Sequence, residues 1–410
     1  MSNCIVAQSG GPSAVINATL AGIIKANQLN PLYEHVYGGL NGIEGILHEK
    51  FVDLTKMTEH DNNVLRQTPS SALGSCRYKL KRSNVEDFEK VMAIMEKYDI
   101  STLFYIGGND SMDTVASLTQ YAKKNNITNR RFIGCPKTID NDLIIIDHAP
   151  GFGSAAKFIS TTALQCWQDL HVYPVTRKEV FILETMGRDA GWLAASACLS
   201  GIVDVLIVPE IVFEKEVVLN RIRDCIEVKS KCFVVISEGA HYEDGTYVAA
   251  GEAKNDLFGH AVLGGAGKAL EQMLLDEYVC TRIKVQNLST AQRCHATEQS
   301  ETDVTESYRL GMSAHMRSAD PSFTGKMVCL KRREDMEEYD VEYVAVDAER
   351  VANYVRNFPN EWLLPDYWGV SEEAINYMKP LIQGTPKIIM RDGLPEQTLP
   401  YYMTWEGLEE

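Results

Sequence analysis

The chain has 410 residues, 45% of them hydrophobic and 23% charged, with a formal net charge of −16. That length supplies two or three domains with full apolar cores, and the composition is that of a globular chain rather than a disordered one. The acidic balance argues against non-specific nucleic-acid binding, which needs excess cations to displace counterions, and no run approaches the roughly 18 apolar residues of a membrane span.

The N-terminus MSNCIVAQSGG has no basic stretch ahead of an apolar one, so a cytoplasmic protein is expected. The ten cysteines are scattered without CxxC pairs, and Cys4, Cys198 and Cys232 sit inside apolar runs. Reduced, buried thiols fit that pattern better than disulfides or a zinc site.

In chain order, residues 3–7 read as a strand that runs into Gln8-Ser9-Gly10-Gly11-Pro12-Ser13, with a helical pattern over 14–26. A Gly-rich strand-to-helix turn is a generic anion site and also an ordinary tight turn. Residues 36–47 (VYGGLNGIEGIL) hold four glycines and read as a mobile or close-packed loop. The densest cationic cluster follows, Arg77, Lys79, Lys81 and Arg82. For Lys79, Lys81 and Arg82 a solvated edge is the expectation; Arg77, directly behind Gly74-Ser75-Cys76, is the one aimed at a phosphate. An amphipathic helix over 85–98 leads into the next strand.

Residues 101–142 form a βαβ pattern: strands at 102–106 and 132–135 around a helix at 112–124. In open parallel sheets ligands bind outside the carboxyl ends of strands, so the two loops share one crevice. The first loop is Gly107-Gly108-Asn109-Asp110-Ser111, where backbone amides at a helix start can approach an anion. The second, Pro136-Lys137-Thr138-Ile139-Asp140-Asn141-Asp142, packs a cation, a hydroxyl and two carboxylates beside it. Strands at 180–184, 203–208 and 232–236 then end in Met186-Gly187-Arg188-Asp189, Pro209-Glu210 and Ser237-Glu238-Gly239. Five successive strands thus end in loops with a charged residue beside Gly or Pro. A structural turn needs the Gly or Pro but not the charge. A helix over 260–278, strands at 281–285 and 327–330, a helix over 305–316 and one near 372–378 complete the pattern, ahead of an aromatic, Pro-bearing tail. The fold class is α/β, with mostly parallel sheets in two units around one cleft.

These loops, in this order, resemble one family, the phosphofructokinases. The match comprises Ser9-Gly10-Gly11, Gly74-Ser75-Cys76-Arg77, GGNDS at 107–111, PKTIDND at 136–142, MGRDAGW at 186–192, Ser237-Glu238-Gly239 and Gln292-Arg293. The resemblance implies two Rossmann-like parallel-sheet domains with the active site between them. It divides the chain into a donor-binding domain (1–150 plus about 295–350), a sugar-phosphate domain (151–294) and a C-terminal helical extension (351–410) across both. The implied reaction is Mg²⁺-dependent phosphoryl transfer to the 1-hydroxyl of fructose 6-phosphate. Asp140 matches the base, with Thr138, Asp142 and Arg188 around the transferring group. Met186, Gly187 and Glu238 match sugar contacts, and Arg282 and Arg293 match clamps on the 6-phosphate. Gly10, Gly11, Arg77, Gly108, Asp110, Ser111 and Lys137 match the donor site. One clamping arginine comes from a neighbouring subunit in the family, so a homodimer or homotetramer with a shared site is expected.

Two positions bear on the donor. Members of the family that use ATP resemble GGDGS and PGTIDND, whereas users of pyrophosphate resemble GGDDS and PKTIDND. Here Asp110 and Lys137 stand where ATP users have glycine. An aspartate fills and repels the place of an α-phosphate, and like charges in a partly dry site discriminate strongly. The lysine offers an ammonium to a compact diphosphate. Pyrophosphate is therefore the expected donor and a reversible reaction the expected activity, with an ATP-dependent kinase and a non-catalytic sugar-phosphate sensor as alternatives. A dinucleotide oxidoreductase fits poorly, because no GxGxxG follows the first strand. Departures from the family pattern are Asn109, in place of an acid that would ligate Mg²⁺, which leaves Asp110 as the metal carboxylate; Thr290, where a His or Tyr is common before Gln-Arg; and Glu179, near a usual basic position.

Overall fold

In the computed structural model, which describes residues 1–76, 78–249, 264–398 and 400–404, the apolar runs become the strands of two sheets. β1 (Asn3–Gln8) sends Ile5 and Ala7 into one core and Cys4 and Val6 into another, all four buried. A strand apolar on both faces belongs inside a parallel sheet covered on both sides. The first sheet continues with β2 (Val36–Gly39), β3 (Phe51–Asp53), β4 (Ile100–Gly107) and β5 (Arg131–Pro136). The second takes β6 (Glu179–Thr185), β7 (Val205–Ile207), β8 (Lys231–Ser237) and β9 (Ile283–Asn287). The chain then returns to the first with β10 (Lys326–Arg332) and β11 (Val341–Asp347).

Spatial order in the first sheet is β11-β10-β5-β4-β1-β2-β3, parallel throughout except for the antiparallel edges β11 and β3. The second, β7-β8-β6-β9, is wholly parallel. The carboxyl ends of β1, β4 and β5 in one sheet and of β6 and β8 in the other therefore feed the loops singled out by the sequence. Four large clusters of buried apolar side chains cover the sheet faces. Among the described residues no helix is long and apolar enough to cross a membrane. All ten cysteines are free thiols.

Two regions differ from the sequence expectation. Residues 36–47 hold β2 and the helix Gly42–Leu47 rather than an open loop, because their glycines thin out the apolar pattern without breaking the backbone. The tail is not mainly helical. Beyond the helix Glu372–Met378 it is built of short turns, a two-strand ribbon, Met390–Arg391 with Leu394–Pro395, and a single helical turn, Tyr401–Thr404. Its aromatics have a packing role: Phe358, Trp362 and Tyr377 ring Trp192 at centroid distances of 4.8, 6.1 and 5.6 Å. Of the helix expected over 260–278, residues 260–263 lie outside the described residues and the observed helix is Ala266–Asp276.

The helices Ile16–Leu29 and Glu301–Arg317 cross at two glycines, Gly22 and Gly311. A Cβ on Gly22 would lie 2.0 Å from the Tyr308 carbonyl oxygen, and one on Gly311 2.1 Å from that of Thr19. Neither backbone can yield without separating the helices. Gly22→Ala and Gly311→Ala are each expected to destabilise the fold by about 1–3 kcal/mol or more despite alanine's higher helix propensity, read as a lower urea midpoint.

Candidate active site

The cleft between the sheets is a cavity of about 600 Å³ lined by the strand-end loops. From the first sheet come Gly10 and Gly11 after β1, Gly108, Asp110 and Ser111 after β4, and Lys137, Thr138, Asp140 and Asp142 after β5. From the second come Met186 and Arg188 after β6 and Glu238 after β8, with Arg293 from the turn Ser289–Arg293. Residues separated by more than 280 positions thus share one space.

Hydrogen bonds between loops fix this arrangement. Ser9 and Ser111 join hydroxyl to hydroxyl at 2.5 Å, and the Lys137 N–H donates to the Gly107 carbonyl at 2.9 Å. The Asp140 N–H donates to Thr138 Oγ1 at 3.1 Å. Across the cleft, the Ser237 hydroxyl donates to the Gly187 carbonyl at 2.5 Å and the Glu238 N–H to the Thr185 carbonyl at 2.9 Å. Gln292, fully buried, accepts from the Met186 N–H at 3.1 Å and so brings Arg293 alongside the Met186 loop.

The electrostatics are those of crowded, partly buried charge. Burial, then the neighbouring Asp142 and Glu238, push the Asp140 carboxyl up to about 7, with Lys137 opposing. Burial also raises Asp142, against hydrogen bonding from its own backbone and Thr138. Glu238 is pushed up to about 7 by burial and by Glu184. Lys137 is 3% exposed; burial pulls its ammonium down to about 8, Asp140 resists that shift, and its Nζ donates to the Gly11 carbonyl at 2.5 Å. Gly10 has φ +77°, and a Cβ there would meet Lys137 Nζ at 3.3 Å, so a side chain would strain the backbone and crowd the ammonium.

Some sequence expectations change. Lys79 is exposed, as expected of a solvated edge, and its Nζ also lies 3.0 Å from Asp110 Oδ1 on the cavity wall. Arg82 likewise pairs with Asp113, one turn further along the helix, at 2.9 Å. The signal was the spacing of these two cations opposite two acids, legible only once the facing loops were known. Asn353 and Val355 also line the cavity without having been singled out, and Asp189 does so without having been given a role. Arg188 is bonded to Asp189 through Nε and Nη2 at 3.1 and 3.0 Å. Arg282 is not brought to this cavity. It precedes β9, whose parallel register with β6 places it beside Val180, at the opposite end of the sheet from Met186. Glu179, at the same end, is paired with Lys231 at 2.7 Å and Arg177 at 2.6 Å. Gly187 adjoins the cavity without lining it, and Arg77 lies outside the described residues.

For a cation, the loop after β4 offers one carboxylate, Asp110, since the Asn109 amide is bonded to the backbone of Asn353 and Tyr354. That suits a hard ion held by one or two carboxylates together with substrate phosphate oxygens. Among the described residues, the group of three closely set ligating side chains is elsewhere: Asp204, Cys225 and Cys232, with Asp204 already bonded to Lys229 and the Phe233 N–H.

The raised Asp140 carboxyl has a consequence for stability. Folded, it holds its proton up to about 7, against about 3.9 for a free carboxyl, so its charge opposes folding above pH 7 and costs nothing once both states are protonated. Asp140→Asn is expected to raise the melting temperature at pH 8, with the gain fading as pH falls toward about 4.

A phosphofructokinase family model matches residues 3–317. A pyrophosphate--fructose 6-phosphate 1-phosphotransferase of Halomonas elongata is 37% identical over 404 residues, covering 96% of this chain and 95% of that protein. The crystal structure of a pyrophosphate-dependent phosphofructokinase from Marinobacter aquaeolei superposes with a TM-score of 0.88 at 32% identity, covering 100% of this chain and 98% of the other. That of a pyrophosphate-dependent phosphofructokinase from Nitrosospira multiformis gives 0.85 at 32% identity, with 96% and 95% covered. The chain belongs to the phosphofructokinase family.

Proposed function

We propose that the chain transfers a phosphoryl group reversibly between pyrophosphate and the 1-hydroxyl of fructose 6-phosphate. The observation that carries this reading is the meeting of Lys137, Asp140 and the Gly10-Gly11 turn at one point of the cleft. An ammonium for a compact anion and a base for a hydroxyl lie on the same loop. The relatives named for pyrophosphate support this donor over ATP.

In this reading the first unit (1–150 plus about 295–350) takes the diphosphate and the second (151–294) the sugar phosphate. Asp140 accepts the proton of the 1-hydroxyl; the oxygen forms its bond to one phosphorus as the bridging P–O bond breaks, and inorganic phosphate leaves. Lys137, Arg188, Ser111 and the amides of Gly10, Gly11 and Gly108 stabilise the charge of the transferring group, with Arg77 assigned to the same task from sequence alone. Thr138 and Asp142 organise the base. Glu238, Met186 and Gly187 orient the sugar, and Arg293 holds its 6-phosphate. Asp110 with the diphosphate oxygens would hold Mg²⁺, which when bound neutralises phosphate charge.

Arg282 enters this scheme through a second copy of the chain. It is exposed, two residues before Lys284, whose Nζ lies 5.9 Å from the Tyr173 ring, and Val172, Tyr173 and Val175 are 67%, 41% and 75% exposed. A homodimer or homotetramer would bring this partly apolar end, with Arg282, against another subunit's sugar site. The unbridged thiols suit the reducing cytoplasm.

Initial rates with fructose 6-phosphate and Mg²⁺ are expected with pyrophosphate and not with ATP, and Asp140→Asn is expected to lower kcat by about 10²–10⁴. Activity with ATP alone would overturn the donor assignment. Silence with both would favour a binding protein. Because the base must be ionised, kcat/KM in the direction of sugar phosphorylation should rise with pH through about 7; a flat profile between pH 6 and 8 would show that no carboxyl essential to the step titrates there.

A further inference from the structure

Residues 353–358 lie beyond the span matched by the family, yet Asn353 and Val355 line the cleft and the segment bonds to loops of both units. At one end the Asn109 amide donates to the Tyr354 carbonyl and accepts from the Asn353 N–H. At the other, the Phe358 N–H donates to Glu210 Oε1 at 2.7 Å, on a carboxylate that also receives the Gly191 N–H. Between them stands Arg356.

Its guanidinium binds the underside of the loop that carries Asp140 and Asp142. Nε and Nη2 donate to the Asn141 carbonyl at 3.0 and 2.8 Å, and Nη1 to the carbonyls of Ile146 and Asp147 at 2.8 and 2.6 Å. The Arg356 N–H adds a bond to the Asp142 carbonyl at 2.7 Å. The guanidinium carbon rests 4.8 Å from the Trp192 ring, whose Nε1 donates back to the Arg356 carbonyl at 3.1 Å. The grasped loop needs such a hold. Asn141 and Ile145 both occupy the left-handed region, at φ 54° and 64°, where a β-branched side chain such as isoleucine is strained. Asn141 sits between the two carboxylates, so a shift of its carbonyl carries both.

We propose that Arg356 is a positioning residue for phosphoryl transfer, clamping the base loop so that Asp140 meets the sugar hydroxyl, and that residues 353–358 tie this loop to the donor loop through Asn109. Asn109, where relatives that use pyrophosphate carry an acid, is in this chain the clasp of that tie: its amide supplies both a donor and an acceptor to backbone groups, which a carboxylate cannot do. The proposal rests on the reading of Asp140 as the base.

The test uses the full chain with pyrophosphate, fructose 6-phosphate and Mg²⁺, comparing native protein, Arg356→Ala, Arg356→Lys and Asn109→Ala. For Arg356→Ala, kcat is expected to fall about 100-fold with both KM values nearly unchanged, the signature of a misplaced reacting group. Added guanidinium ion should restore part of that kcat, and Arg356→Lys should retain more activity than Arg356→Ala. Asn109→Ala should cost less, and its loss should not add to that of Arg356→Ala in the double variant. An unchanged kcat, or a loss confined to KM, overturns the proposal. So does a loss that follows a lowered melting temperature and that guanidinium does not relieve. Native protein inactive with pyrophosphate would overturn the underlying reading; active native protein with an equally active Arg356→Ala would overturn the clamp alone.

Discussion

The constraint on which the rest of this structure depends is the burial of charge between two sheets. Asp140, Asp142 and Glu238 face one another across a space of about 600 Å³, with Lys137 and Arg293 among them. No charged group can be taken from water without a partner or a shift in its proton affinity. Both responses are present: the acids are raised, Lys137 is lowered, and the cations and acids moderate one another. A cleft of that kind is poised for proton transfer near neutrality and receptive to a compact polyanion.

The sheets exist to hold that arrangement. Parallel strands deliver their carboxyl ends to one edge, and the covering helices are fixed to them tightly enough that the Gly22–Gly311 crossing tolerates no methyl group. The loops are joined to each other as well as to their strands, through Ser9 with Ser111, Ser237 with Gly187 and Gln292 with Met186. Precision in the cleft is thus a property of contacts between distant segments.

Most of the fold and much of the site were legible because the signals were local. A buried parallel strand is apolar on both faces, and its end is marked by glycine, proline and charge. What was not legible depended on partners. β3 has three residues and β11, with only Val341 buried and acids among the rest, carries no clear period, so neither announces itself without its neighbour. Lys79 reads as a surface lysine and is one; its pairing with Asp110 depends on a loop far away in sequence. Arg282 shares its sequence neighbourhood with Arg293 but not its end of the sheet, which only strand register reveals. The aromatic tail has no period because it fills gaps around Trp192 instead of forming an element of its own.

The order of strands carries a consequence for how the polypeptide is made. All four strands of the second sheet lie between residues 179 and 287, whereas the first sheet waits for β10 and β11, which end at residue 347. The helix that seals the first sheet through Gly311 also emerges after the second sheet is complete. During synthesis from the N-terminus, the unit begun first is therefore finished last, its β1, β4 and β5 held open while the contiguous unit closes. Until the ribosome has released residue 332, β5 presents an unpaired apolar edge where β10 will dock, and that interval is when this chain is most exposed to association with its own copies.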